Sequence, residues 1–310
     1  EIAFAAGFGS VRQFNDTMRE VYATAPSAFR RTPSGHQKGE VRLRLPYRRP
    51  FDADGLFTFL ITHAVEGVET TEGGYRRSLR LPHGPGHVML VPADGHVDAT
   101  LGLTDLRDLA PAVSRCRRLL DLNADPAAVD AVLGCDPVLA ASVADHPGIR
   151  IPRGVDGFET AVRTIIGQQV SVASARAVAA RLVHGGLFSD AAGLLALPDE
   201  SFAMPQGRRD SLRTLARAVT VGDLDLESSA DRAATEKALL GLPGIGAWTA
   251  GYVALRGLGD PDVLLDTDLV IRRTAERLGI DDLHRHAERW RPWRSYAMLH
   301  LWRISWNSRQ

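Results

Sequence analysis

The stretch "LPGIGAWTAGYVALRGLGDPDVLLDTDLVIRR", residues 242–273, decides how the rest of the chain is read. Leu242, Pro243, Gly244, Ile245 and Gly246 separate two segments with helical apolar spacing, "DRAATEKALLG" before and "AWTAGYVALRGLG" after. A proline with two glycines permits a tight turn whose backbone N–H groups open the following helix. Such a terminus can hold a phosphate without any Lys or Arg. A plain helical turn carries the same local signature. Downstream, Asp262, Asp266 and Asp268 offer three carboxylates, and Trp248 stands where the second helix begins.

A chain of 310 residues exceeds one ordinary domain, so two or more packed units are expected. A chain 45% apolar and 24% charged reads as globular, and no apolar run approaches the ~18 residues of a membrane span. Glu1 has no basic-then-apolar signal region behind it, as expected of a piece of a longer protein. Cys116 and Cys135 lack C-x-x-C spacing, which excludes a disulfide framework, a structural zinc and a four-cysteine cluster. They read as reduced thiols of a cytoplasmic protein.

Net charge is zero, which by itself argues against a nucleic-acid partner. Distribution matters more. Residues 285–310 carry Arg285, Arg289, Arg291, Arg294, Arg303 and Arg309 against Glu288, interleaved with Trp290, Trp293, Tyr296, Trp302 and Trp306. Such a segment is either a local nucleic-acid surface or a core helix with a solvated arginine face.

Residues 1–31 pattern as helix, glycine turn, helix: Ile2, Ala5 and Phe8, then Val11, Phe14, Met18, Val21 and Tyr22. Residues 32–40 read as a linker. Val41, Leu43 and Leu45 alternate as a strand, 52–65 has an Asp-capped helical face, and 87–103 reads as a hairpin turning at Asp94-Gly95. Residues 41–112 are therefore expected to form a small α+β domain and 113–310 a mainly helical one.

Residues 1–31 resemble the end of an AraC-type helix-turn-helix domain. The remainder, about residues 41–306, resembles the helix–hairpin–helix DNA glycosylase superfamily in its 3-methyladenine DNA glycosylase II branch. The resemblance rests on "FETAVRTIIGQQVSVASA" (158–175), "LPGIGAWTAGYVALRG" (242–257) and "AERWRPWRSYAMLHLW" (287–302). It implies a regulator–glycosylase fusion that excises alkylated purines from double-stranded DNA, as a monomer, in the bacterial cytoplasm at the nucleoid. It places the catalytic carboxylate on Asp268, a base pocket on Trp248, Tyr252 and Trp302, and the wedge that fills the vacated stack on Gln169, following Gln168. Residues 242–246 become the hairpin that holds the DNA backbone.

The chemistry fits those residue types. Breaking a base–sugar bond builds positive charge on the deoxyribose, which a nearby carboxylate stabilises. Electron-rich rings favour a cationic base by about 0.5–2 kcal/mol per contact. Lyase members of the superfamily carry a Schiff-base lysine at the hairpin position of Trp248. The only lysines here, Lys38 and Lys237, do not align with it, so hydrolysis to an abasic site is expected. No catalytic metal is expected, and no cofactor beyond a monovalent cation at the hairpin backbone. Two positions depart from the family pattern: Gln169 replaces a leucine, and Leu269 an aromatic. Asp266 reads as a helix cap and Asp262 as a solvated loop carboxylate. The competing reading is a non-catalytic DNA-binding or regulatory protein of the alkylation response, which the combination of Asp268, Trp248 and Trp302 disfavours.

Overall fold

The computed structural model describes residues 10–12, 15–16, 40–227 and 229–307. The helix-turn-helix resemblance and nearly all of the linker lie outside the described residues, apart from those few positions. The chain divides into two compact units, one comprising 1–47 and 69–114, the other 48–68 and 115–310.

The smaller unit is built on a five-stranded antiparallel sheet in the order β1-β5-β4-β3-β2. Its strands are β1 (Glu40–Pro46), β2 (Glu69–Thr70), β3 (Tyr75–Leu81), β4 (Gly84–Ala93) and β5 (His96–Leu103). Alternation puts Val41, Leu43 and Leu45 on the buried face, together with Tyr75, Leu79, Val88, Leu90, Ala99 and Leu101. Ala93 pairs with His96 around Asp94-Gly95, where Gly95 takes φ 80°, as a two-residue hairpin turn demands.

The larger unit is helical. Its first helix, α1 (Ala53–Thr62), lies within the 41–112 stretch of sequence and groups with this unit. Tertiary partners far along the chain account for the grouping. Arg303 pairs with Asp52 at 2.7 Å, while Arg163 and Arg176 donate to the carbonyls of His63 and Ala64, each at 2.6 Å. Val65 and Val68 join a buried cluster with Val162 and Ile165. Local spacing reports the helix but not its partners.

After α1 come α2 (Leu109–Leu119), α3 (Pro126–Leu133), α4 (Ala140–Asp145), α5 (Gly157–Ile166) and α6 (Val172–Ala180). A short ribbon (Val183–His184, Leu187–Phe188) precedes α7 (Ala191–Ala196), α8 (Gln206–Val221) and α9 (Arg232–Leu240). The last helices are α10 (Ala247–Val253), α11 (Leu269–Arg277), α12 (Leu283–Ala287) and α13 (Arg294–Asn307). α10 continues through a π-helical turn, Ala254–Leu258. Ala250 and Val253 enter one apolar cluster with Ile165, Leu212 and Leu239. Leu255 enters the other, with Leu265, Ile271, Trp290 and Leu301. The helix after the hairpin is thus fixed by both cores. Among the described residues no helix is long and apolar enough to cross a membrane.

Candidate functional site

All the side chains below belong to the larger unit. The hairpin joins α9 to α10. Gly244 takes φ 81°, and a Cβ there would lie 2.0 Å from Ser211 Oγ. Both facts demand glycine. Gly246 differs: its φ is −94°, and a Cβ would meet nothing within 4 Å. The protein's own packing does not require glycine at 246. Gly246 is the N-cap of α10 and supplies no side-chain oxygen, so the first N–H groups of the helix stay open to an external acceptor. Ile245, 6% exposed, anchors the turn in the core.

Asp268 is the N-cap of α11. Its Oδ1 accepts the N–H groups of Val270 and Ile271, each at 2.9 Å, and its Oδ2 accepts the Trp248 indole N–H at 2.8 Å. The Trp302 indole N–H approaches Oδ1 at 3.4 Å. The residue is 9% exposed, and each of these contacts is a donor. Capping and presentation of charge are therefore not alternatives here: one oxygen caps while the other faces the tryptophan. Trp248 stacks on Tyr252 at 5.1 Å and 25°, and Trp302 meets Tyr252 edge-on at 6.0 Å. The sequence-predicted pocket residues thus come together around the sequence-predicted carboxylate. A close approach makes this possible, since a Cβ on Gly251 would lie 2.9 Å from Leu265 on the loop that carries Asp268. Leu269, beside it, is 58% exposed.

The other two aspartates have partners that their sequence readings did not foresee. Asp262 is clamped rather than free. Its carboxylate accepts from Arg294 Nε and Arg291, both at 2.7 Å, and Arg294 also donates to its backbone oxygen. Ser295 completes the clip by accepting from Val263 N–H at 3.0 Å and donating to Asp260 O at 2.6 Å. Asp266 caps no helix and instead pairs with His284 Nε2 at 2.7 Å. The arginine-rich C-terminal segment is accordingly engaged within the protein at Arg291, Arg294 and Arg303, with Trp290 fully buried and Trp306 exposed.

The two glutamines divide. Gln169, at φ 54°, is exposed at the turn between α5 and α6, a backbone region in which non-glycine residues are uncommon. Gln168 turns inward: its amide donates to Thr249 Oγ1 at 2.8 Å and reaches Gly244 O at 3.5 Å. Of the two expected wedge residues, Gln168 therefore braces the turn against the hairpin, and Gln169 alone projects. Among the described residues no group of three His, Cys, Asp or Glu could hold a metal ion.

Sequence reasoning missed Arg256, Phe59 and His63. Arg256, four residues after Tyr252, donates to the tyrosine hydroxyl at 2.9 Å and to Pro152 O at 2.6 Å. It lies 4.3 Å above the Phe59 ring, on which His63 stacks at 3.9 Å. The i, i+4 spacing of Tyr252 and Arg256 was visible; the placement of α1 was not. Burial pushes the His63 imidazole from 6.5 down to about 4, and the charges of Arg256, Arg163 and Arg176 act in the same direction, against its Nδ1–H bond to Phe59 O. The folded state thus binds fewer protons than the unfolded state between these two values. His63 stabilises the fold above pH 6.5, and that contribution is lost as pH falls towards 4. Thermal melts should show a midpoint that drops over this window, with a shallower drop in His63→Phe. An unchanged slope would refute the assignment.

Residues 42–156 match the family model "AlkA N-terminal domain". The chain is 44% identical, over 97% of its length, to the "Probable bifunctional transcriptional activator/DNA repair enzyme AlkA" of Mycobacterium tuberculosis, and it spans 66% of that protein. It is 35% identical, over 83% of its length, to "DNA-3-methyladenine glycosylase 2" of Escherichia coli, covering 95% of that protein. Among solved structures, the "3-methyladenine dna-glycosylase from Archaeoglobus fulgidus" superposes with a TM-score of 0.72 at 20% identity, over 84% of this chain and 97% of the other.

Proposed function

This chain belongs to the family of DNA-3-methyladenine glycosylase 2, and from that premise we propose that it excises alkylated purines from duplex DNA by hydrolysis. The observation that carries the reading is the Asp268 carboxylate, held by helix N–H donors and an indole against Trp248, Tyr252 and Trp302. In this proposal the hairpin amides at 242–246 take a backbone phosphate, the damaged nucleotide flips into the aromatic pocket, and Gln169 occupies the gap it leaves. As the C1′–N bond lengthens, Asp268 stabilises the positive charge growing on the sugar, and water adds at C1′. A methylated purine is already cationic and leaves as a neutral base.

Trp248 offers no amine, so no Schiff base can form at that position. The proposed product is an abasic site in an unbroken strand, made by a monomer without a resident cofactor. A monovalent cation at the hairpin carbonyls would serve backbone binding only. Residues 1–31 are proposed to be the end of an AraC-type domain of an alkylation-response regulator in the bacterial cytoplasm. The word "activator" in the name of the Mycobacterium tuberculosis relative supports this.

Methylated duplex DNA tests the activity. Released 3-methyladenine, with strand breaks appearing only after alkali, is expected. Cleavage before alkali, trapped by borohydride, would exclude the monofunctional reading. DNA binding without base release would favour the non-catalytic regulator instead.

A further inference from the structure

The five-stranded sheet of the smaller unit has a second face. The alternation that buries Leu43, Tyr75 and Val88 turns Arg42 and Arg44 of β1 and Arg76 and Arg80 of β3 outward, all exposed. One row of the register runs Arg42, Thr100, Met89, Arg76 across β1, β5, β4 and β3. The arginines therefore form two rims, three strand spacings or about 14 Å apart. The floor between them is low. Thr100, Met89, His87 and Ser78 are partly buried, and the His87 ring lies over Gly102, where a Cβ would come within 2.1 Å of it.

Arg42, Arg44 and Arg76 are unpaired as well as exposed. Among the described residues none of their side chains enters an ion pair or a hydrogen bond. Arg77 shows the contrast: one position along β3 it points inward, 3% exposed, and pairs with Glu69 at 3.5 Å. The acids of the outward face are Glu40 and Asp98. Asp98 stands opposite Arg44 in register, yet its carboxylate pairs with His96 at 3.2 Å. A chain with zero net charge thus concentrates unpaired cations on one sheet face, where they attract a polyanion.

We propose that this face binds duplex DNA through its phosphates, independently of sequence and in addition to the hairpin at 242–246. Each rim meets one backbone, and a minor groove about 6 Å wide lies over the floor. An unpaired strand fits worse, because the outward positions of β1, β3, β4 and β5 include no Phe, Tyr or Trp on which its bases would stack. The inference rests on the reading of the chain as an enzyme of duplex DNA and adds a surface that the chemistry at Asp268 does not use.

The test is a salt titration of the full chain on undamaged duplex, read by fluorescence anisotropy. Arg42→Gln/Arg44→Gln/Arg76→Gln should lower the slope of log K against log salt by about 2.7, since each phosphate contact contributes about 0.9. The affinity lost is then greatest at low salt. The melting midpoint should stay at the wild-type value, because the three side chains hold no partner in the fold. Arg42→Lys/Arg44→Lys/Arg76→Lys should keep the wild-type slope, since counterion release follows charge. A glutamine variant with the wild-type slope overturns the proposal, as does a lysine variant that loses as much slope as the glutamine one. A glutamine variant that loses polyglutamate and keeps duplex also overturns it, and assigns the face to an acidic protein. Wild-type protein that binds no duplex overturns the DNA reading of the whole chain.

Discussion

Asp268→Asn is expected to slow base release by about 10²–10³-fold while the affinity for undamaged duplex stays near wild type and the thermal midpoint falls only modestly, from loss of the acceptor for the Trp248 indole N–H. The separation follows from the two oxygens. Asn caps a helix about as well as Asp, so the bonds that Oδ1 accepts from Val270 and Ile271 survive the change. The negative charge does not. Single-turnover rates, a melt and a duplex-binding titration on the same preparation would decide it. Wild-type rates in this variant would remove Asp268 from the chemistry. A large fall in midpoint would mean that the carboxylate serves the fold before it serves a substrate.

The second large effect separates two glycines of one turn. Gly244→Ala should destabilise the larger unit by about 1–3 kcal/mol, since alanine at φ 81° is strained and its methyl would lie 2.0 Å from Ser211 Oγ and 3.2 Å from Ser211 Cβ. That serine oxygen already donates to Gly207 O at 2.9 Å, so moving it aside has its own cost. Gly246→Ala meets no such obstacle and should melt like wild type, yet it should bind duplex DNA about tenfold more weakly, because a methyl would stand where a phosphate must approach the amides. Melting curves and anisotropy titrations of the pair would separate the roles. If Gly246→Ala binds as wild type does, the turn is not the phosphate seat.

Much of the site was legible because its determinants are local. The Pro-Gly turn, the four-residue spacing of Trp248 and Tyr252, and the Asp opening a helix at 268 are short-range patterns. What escaped was pairing across long intervals. The two basic partners of Asp262 arrive from Arg291 and Arg294, so the sequence around Asp262 could not distinguish a clamped carboxylate from a solvated one. Asp266 looks like a cap because Asp is a good one, but the next helix starts three residues later, at Leu269, and takes Asp268 instead. Gln168 and Gln169 are chemically identical, and only the left-handed backbone at 169 sends one outward and the other towards Thr249. The α1 helix is legible in its periodicity, but the bonds that reach Asp52, His63 and Ala64 from Arg303, Arg163 and Arg176 are not, because amphipathic spacing says which face is buried and not against what.

The division of the helical unit into two stretches of chain also sets a timetable for synthesis. Asp52 is bonded to Arg303 across 251 positions of sequence. At about 5–20 residues per second, roughly 12–50 seconds separate the appearance of the two partners on a ribosome. Throughout that interval Asp52, the N-cap of α1, lacks the arginine that will pair with it. The strands that follow it, by contrast, pair with near neighbours and can close as soon as they emerge. The nascent chain can therefore pair β2 to β5 well before Asp52 meets Arg303.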